Sequence, residues 1–106
     1  MGREKSILKQ LQEFKKEAGR HIPIRRMILF GSYAHGKPGK WSDIDLIMVS
    51  PSFRGQKPYT RGVEFYRYWQ LNCPVDFLCY TPEEFERLAK QITIVSQALK
   101  EGIEIG

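Results

Sequence analysis

Phe30-Gly31-Ser32-Tyr33-Ala34-His35-Gly36-Lys37-Pro38-Gly39-Lys40-Trp41-Ser42-Asp43-Ile44-Asp45-Leu46 is the stretch on which the reading of this chain turns. It joins two apolar runs. Arg26-Met27-Ile28-Leu29-Phe30 stops at Gly31-Ser32, and its shortness and the glycine behind it favour a buried strand over a helix. Ile44 to Val49 is apolar on both faces, as a strand in the middle of a sheet is. Between them, residues 33–42 hold Gly36, Pro38 and Gly39 and read as one helical turn followed by a loop.

The polar residues of this stretch carry chemistry. A glycine ending a buried strand lets a phosphate approach the backbone. A hydroxyl residue opening a helical turn behind it aims free N–H groups at that phosphate. Residues two apart on a strand point to the same side, so Asp43 and Asp45 project together from the start of the second strand. Two adjacent carboxylates repel unless a cation lies between them, and magnesium, which takes carboxylate oxygens and keeps sites for water and phosphate, suits the place. Most Gly-Ser pairs are plain turns, and Asp-x-Asp is common at solvated strand ends, so neither pattern decides by itself.

Working outward, Ile7, Leu8, Leu11 and Phe14 recur at helical spacing, with Lys9, Gln10, Glu13, Lys16 and Glu17 on the other face; Gly19 and Pro23 end that helix. Ser50 to Tyr59, with two prolines and a glycine, reads as a mobile loop. Thr60 to Asn72 has helical spacing, with Val63, Tyr66, Trp69 and Phe65 on the inner stripe, until Pro74 breaks it. Val75 to Tyr80 is a third strand with Asp76 near its head. If it lies beside the second strand, Asp76 falls near Asp43 and Asp45, and three such carboxylates can hold two metal ions about 3.5–4 Å apart. Thr81-Pro82-Glu83-Glu84 combines a cap, a proline at the first helical position and a capping box. A last helix through Val95 and Leu99 ends at Gly102, and Ile103-Glu104-Ile105 closes as an edge strand. The alternation gives an α/β or α+β sandwich, a small mixed sheet flanked by helices, in one domain over residues 1–106.

At 106 residues the chain can build one modest core. No apolar run approaches the ~20 residues of a membrane span, and the first residues lack the apolar stretch of a signal peptide, so the expected location is the cytoplasm. A net charge of +5 suits a chain that meets phosphate, as nucleotide or nucleic acid, or an acidic protein partner. The basic residues are dispersed and no RNA-binding motif is present, which argues against nucleic acid. Cys73 and Cys79, six apart with no histidine near, read as reduced structural thiols.

Gly31-Ser32, ten residues, then Asp43-Ile44-Asp45 resembles the signature of the DNA polymerase beta-like nucleotidyltransferase superfamily. The wider string from Gly31 through Gly36, continuing from Ser42 to Leu46, resembles its minimal prokaryotic branch, the antitoxin type included. Asp76 stands where that family's third carboxylate is expected. The resemblance implies that Gly31 and Ser32 bind the triphosphate of ATP or another nucleoside triphosphate. It implies that Asp43 and Asp45 ligate two Mg2+ ions, and that Asp76 holds the catalytic ion and helps deprotonate the acceptor. Many members carry arginine where this chain has His35, so a phosphate contact there is not carried over.

The same resemblance implies transfer of a nucleoside monophosphate, AMP from ATP, to a hydroxyl of a small helical partner of the HEPN type, as the antitoxin of a toxin–antitoxin pair. A contact-acting antitoxin with little catalysis is one alternative. Modification of a small molecule, as by kanamycin nucleotidyltransferases, is another, and would need a homo-oligomer to wall the acceptor. Lys37 and Lys40 between the halves of the motif, and Arg54 and Lys57 in the following loop, are candidates to touch nucleotide; His21 and His35 read as solvent or packing residues.

Overall fold

The computed structural model describes residues 3–31, 33, 34 and 43–106, with side chains from residue 7 onward. Helix α1 spans Arg3–Gly19 and strand β1 Arg26–Phe30; strand β2 spans Ile44–Val49 and strand β3 Val75–Tyr80. Helices α2 (Pro82–Ala89) and α3 (Ile94–Glu101) precede the short strand β4, Ile103–Glu104. The strands order as β3-β2-β1-β4 in one mixed sheet. β1 is antiparallel to β2 and β4, whereas β2 and β3 run parallel.

Strand alternation sorts the apolar residues onto two faces. Met27, Leu29, Ile44, Leu46 and Met48 meet Leu11, Phe14 and Ala18 of α1, together with Phe53 and Phe65. Ile28, Ile47 and Val49 meet Phe85 of α2 and Val95 and Ala98 of α3. β2 is therefore covered on both faces, as its unbroken apolar run predicts. Each deeply buried aliphatic side chain contributes about 1.5–3 kcal/mol of transfer free energy. The Thr81 hydroxyl accepts from the Glu84 N–H while the Glu84 carboxylate accepts from the Thr81 N–H, the capping box read from sequence. Thr93 and Ser96 make a second such box at α3. No helix among the described residues is long and apolar enough to cross a membrane.

Between β2 and β3 the structure departs from expectation. Residues 60–72 do not form an α-helix; the chain makes 3-10 helices at Pro51–Phe53, Pro58–Thr60 and Val63–Tyr68. With three residues per turn, positions three apart eclipse one another. Gly62 and Phe65 are thereby turned inward, while Val63 and Tyr66 fall on the outer row, 64% and 51% exposed. Gly62 sets this geometry. Its φ is +81°, and a Cβ there would lie 2.7 Å from Cys79 Sγ. Phe65 reaches the core beside Phe53 and Phe77, with ring centroids at 5.9 and 5.5 Å. The segment from Ser50 to Tyr59 is likewise built of short helices, and Phe53 anchors it in the core.

Candidate active site

Asp45 is the one residue of β2 that is not fully buried. It interrupts the apolar run near the strand's start, on the face that carries Ile47 and Val49. The parallel register places Asp76 of β3 directly beside it, and Phe30 is its partner on β1. Adjacent strands lie about 4.7–4.9 Å apart, so two carboxylates on one face of neighbouring strands feel each other's charge. The Asp45 carboxyl titrates above its ordinary range, first through burial, then through the charges of Asp76 and Asp43. Asp43 lies exposed just ahead of β2, and Asp76 is exposed on β3. The three acids singled out in the sequence are thus gathered at one end of the sheet.

Gly31 follows β1 with φ +79°, a conformation that L side chains rarely adopt. A Cβ there would stand 2.5 Å from Asp45 Oδ2. The glycine therefore lets the main chain lie directly against the Asp45 carboxylate. Its carbonyl accepts from the Ala34 N–H at 3.1 Å, which closes a turn after the strand. Ser32, His35, Lys37 and Lys40 lie outside the described residues. Two groups that sequence reasoning did not assign border the cluster: the Tyr33 phenol and the Cys73 thiol, both half-buried, are pushed up first by burial and also by the Asp43 charge. Tyr33 lies within the Gly31–Leu46 stretch itself, whereas Cys73 is brought there only by the pairing of β3 with β2.

Tyr66 borders the Asp76 side. Its hydroxyl donates to the Val75 carbonyl at 3.1 Å, and its ring meets Phe77 edge-on with centroids 5.0 Å apart. Burial raises its phenol, and the Asp76 charge adds to the effect. Arg54 and Lys57 lie beyond the opposite end of β2, and four strand steps from Asp45 to Val49 already span about 13 Å. Both Arg54 nitrogens that bond do so to the Glu83 carboxylate, and the Lys57 ammonium sits over the Tyr59 ring at 5.9 Å. His21 stacks on Tyr68 at 5.0 Å, a packing role. Cys73 and Cys79 are both free thiols, and burial pushes Cys79 up to about 12.

Hard oxygen donors on a shared face suit a divalent cation such as Mg2+. Among the described residues, however, no three His, Cys, Asp or Glu side chains converge closely enough to hold an ion as they stand. The two observations concern different ranges: charges act on one another across several ångströms, whereas a magnesium–oxygen bond is about 2.0–2.1 Å. Asp43, Asp45 and Asp76 form an electrostatic cluster whose side chains must draw together to share an ion.

Residues 8–104 match the family described as a nucleotidyltransferase domain. The chain belongs to that family. A nucleotidyltransferase domain takes a nucleoside triphosphate as substrate and acts as a transferase, and such domains generally use divalent metals. The crystal structure of a candidate nucleotidyltransferase from Sulfolobus solfataricus superposes with a TM-score of 0.66. It covers 95% of this chain and 80% of its own, at 22% identity, a likeness of fold. A comparison with curated proteins finds no match. The nucleotidyltransferase domain thus has its mixed sheet and helices in common with a solved relative, and its acidic cluster stands at the exposed end of the two parallel strands.

Proposed function

We propose that this nucleotidyltransferase domain transfers a nucleoside monophosphate, AMP from ATP, to a hydroxyl on a partner protein. The observation that carries the reading is the pairing of Asp45 with Asp76 on parallel strands, with Gly31 held at φ +79° against the Asp45 carboxylate. Gly31 and Ser32 would receive the triphosphate tail, where a backbone without a Cβ admits it closely. Asp43, Asp45 and Asp76 would hold two Mg2+ ions. Magnesium bound there supplies charge neutralisation for the triphosphate and eases ionisation of the attacking hydroxyl. Asp76, exposed on the edge strand, stands on the acceptor side and assists removal of the hydroxyl proton. The acceptor oxygen bonds to the α-phosphorus as the bond to the β-bridging oxygen breaks, and pyrophosphate leaves.

The resemblance of the Gly31–Leu46 string to minimal antitoxin members supports a helical HEPN-type acceptor, within a single domain over residues 1–106. A contact-acting antitoxin with a metal-nucleotide site and little catalysis is the second reading. One experiment separates the two. ATP labelled at the α-phosphate is incubated with Mg2+, the protein and its cognate helical partner, and the partner is examined for label. Label that appears with wild type and disappears with Asp76→Asn is the expected result; an unlabelled but neutralised partner overturns transfer. Calorimetry adds a second check, since equal ATP affinity in EDTA and in Mg2+ would remove the metal ligands from the scheme.

A further inference from the structure

Asp76 sits on an edge strand. β3 has β2 on one side only, and there the Pro74 and Tyr80 carbonyls accept from the Ile44 and Ser50 N–H groups. Carbonyls alternate along a strand, so that of Val75, the residue before Asp76, points away from the sheet. Tyr66 supplies the missing partner. Its hydroxyl donates to that carbonyl at 3.1 Å, while its ring lies edge-on to Phe77, the residue after Asp76, at 5.0 Å. One side chain therefore grips both neighbours of the acid, and among the described residues no other strand lies on that side to do so. Tyr66 is half exposed, on the outer row of its 3-10 helix, with its hydroxyl and one ring edge turned to β3.

We infer that Tyr66 is a positioning residue for Asp76: by holding Val75 and Phe77 it fixes where the third carboxylate stands relative to Asp45. This rests on the proposed function, in which Asp76 binds a metal ion. The Asp76 charge also reaches the phenol. Nothing in the Gly-Ser…Asp-x-Asp pattern includes Tyr66. The contact comes instead from the three-residue turns between Gly62 and Tyr68.

A double-mutant cycle tests it, read as Mn2+ affinity by electron paramagnetic resonance in the presence of a non-hydrolysable ATP analogue. Tyr66→Phe removes the hydroxyl and keeps the ring on Phe77, and a melting curve checks that it folds. Loss of the one hydrogen bond should weaken the Asp76-dependent Mn2+ site about threefold to tenfold. In combination with Asp76→Asn the loss should vanish, whereas with Asp43→Asn it should persist, because only residues acting through one another depart from additivity. Tyr66→Leu, which also lacks the hydroxyl, should couple to Asp76 in the same way. Full additivity of Tyr66→Phe with Asp76→Asn, or unchanged Mn2+ affinity in Tyr66→Phe, overturns the inference while leaving the carboxylate site standing. Unchanged Mn2+ affinity in Asp76→Asn alone removes the third metal ligand, and this inference with it.

Discussion

Replacing Asp45 by Asn should stabilise the metal-free fold while disabling the site. The Asp45 carboxyl titrates above its ordinary range because burial and the charges of Asp76 and Asp43 all disfavour its ionised form. For an acid of this kind the folded state binds the proton more tightly than the unfolded state does. The stabilisation is fully present below the unfolded value of about 3.9 and is lost as pH rises through the higher folded value. At neutral pH both states are ionised, and the fold carries the full repulsion. One like-charge pair about 5 Å apart costs about 1 kcal/mol even at the dielectric constant of bulk water. Asn keeps the shape and removes that repulsion, so the melting temperature at pH 7 in EDTA should rise by about 4–8 °C. The gain should shrink as the pH is lowered to about 3.5, below the unfolded value and therefore below the raised folded one, because protonation then relieves the repulsion in the wild type as well. Melting followed by circular dichroism at the two pH values measures both effects. A lower melting temperature for Asp45→Asn at pH 7, or a gain independent of pH, would refute the electrostatic account.

Gly31→Ala places a Cβ at φ +79° and 2.5 Å from Asp45 Oδ2. The left-handed backbone alone costs about 1–2 kcal/mol. Denaturant unfolding should register that loss, and calorimetry should show weakened Mg·ATP binding as the carboxylate is pushed aside. Arg61→Ala should be among the most damaging surface-segment changes. The Arg61 side chain, 8% exposed, bonds Glu84 at 2.6 Å and the Cys79 carbonyl at 3.3 Å. Stranding a largely buried partner costs about 3 kcal/mol or more in comparable pairs, and the exposure of Glu84 places this one at the low end. The Arg61 hydrogen bond holds the Glu84 carboxyl below its ordinary range, so its contribution is present above the unfolded value and lost as pH falls through the folded one. The wild-type advantage over Arg61→Ala should therefore narrow in acid, as urea titrations at pH 7 and pH 3 would show.

The strands were legible because each is a short apolar run closed by a residue that cannot continue it: Gly31 after β1, Ser50-Pro51 after β2, Thr81-Pro82 after β3. The Thr81–Glu84 box and Gly102 marked α2 and the end of α3 for equally local reasons. Residues 60–72 misled because Val63, Tyr66 and Trp69 satisfy an α-helical spacing, yet Gly62 is needed beneath Cys79 and Phe77, and the chain turns in threes from there. Which strand β3 joins, and in what register, is set by packing across some thirty residues of chain. The sequence could therefore place Asp76 beside Asp45 only conditionally, and it could not show Tyr66 between Val75 and Phe77. Arg54 was an attractive basic residue in a loop, but Glu83, 29 positions away, claims it.

The clasp along β3 also bears on how copies of this chain meet. An open strand edge is a template for another chain, and proteins blunt such edges to avoid stacking into aggregates. Here Tyr66 occupies the Val75 carbonyl and Arg61 the Cys79 carbonyl, so an incoming strand would find two of its docking points already taken. At the other margin, β4 offers two residues, and Glu104 is tied back to Arg26 of β1. Strand addition is hindered at one margin by two occupied carbonyls and cut short at the other by the two-residue β4. Tyr66 and Arg61 thus also make the β3 edge a poorer template for a second strand.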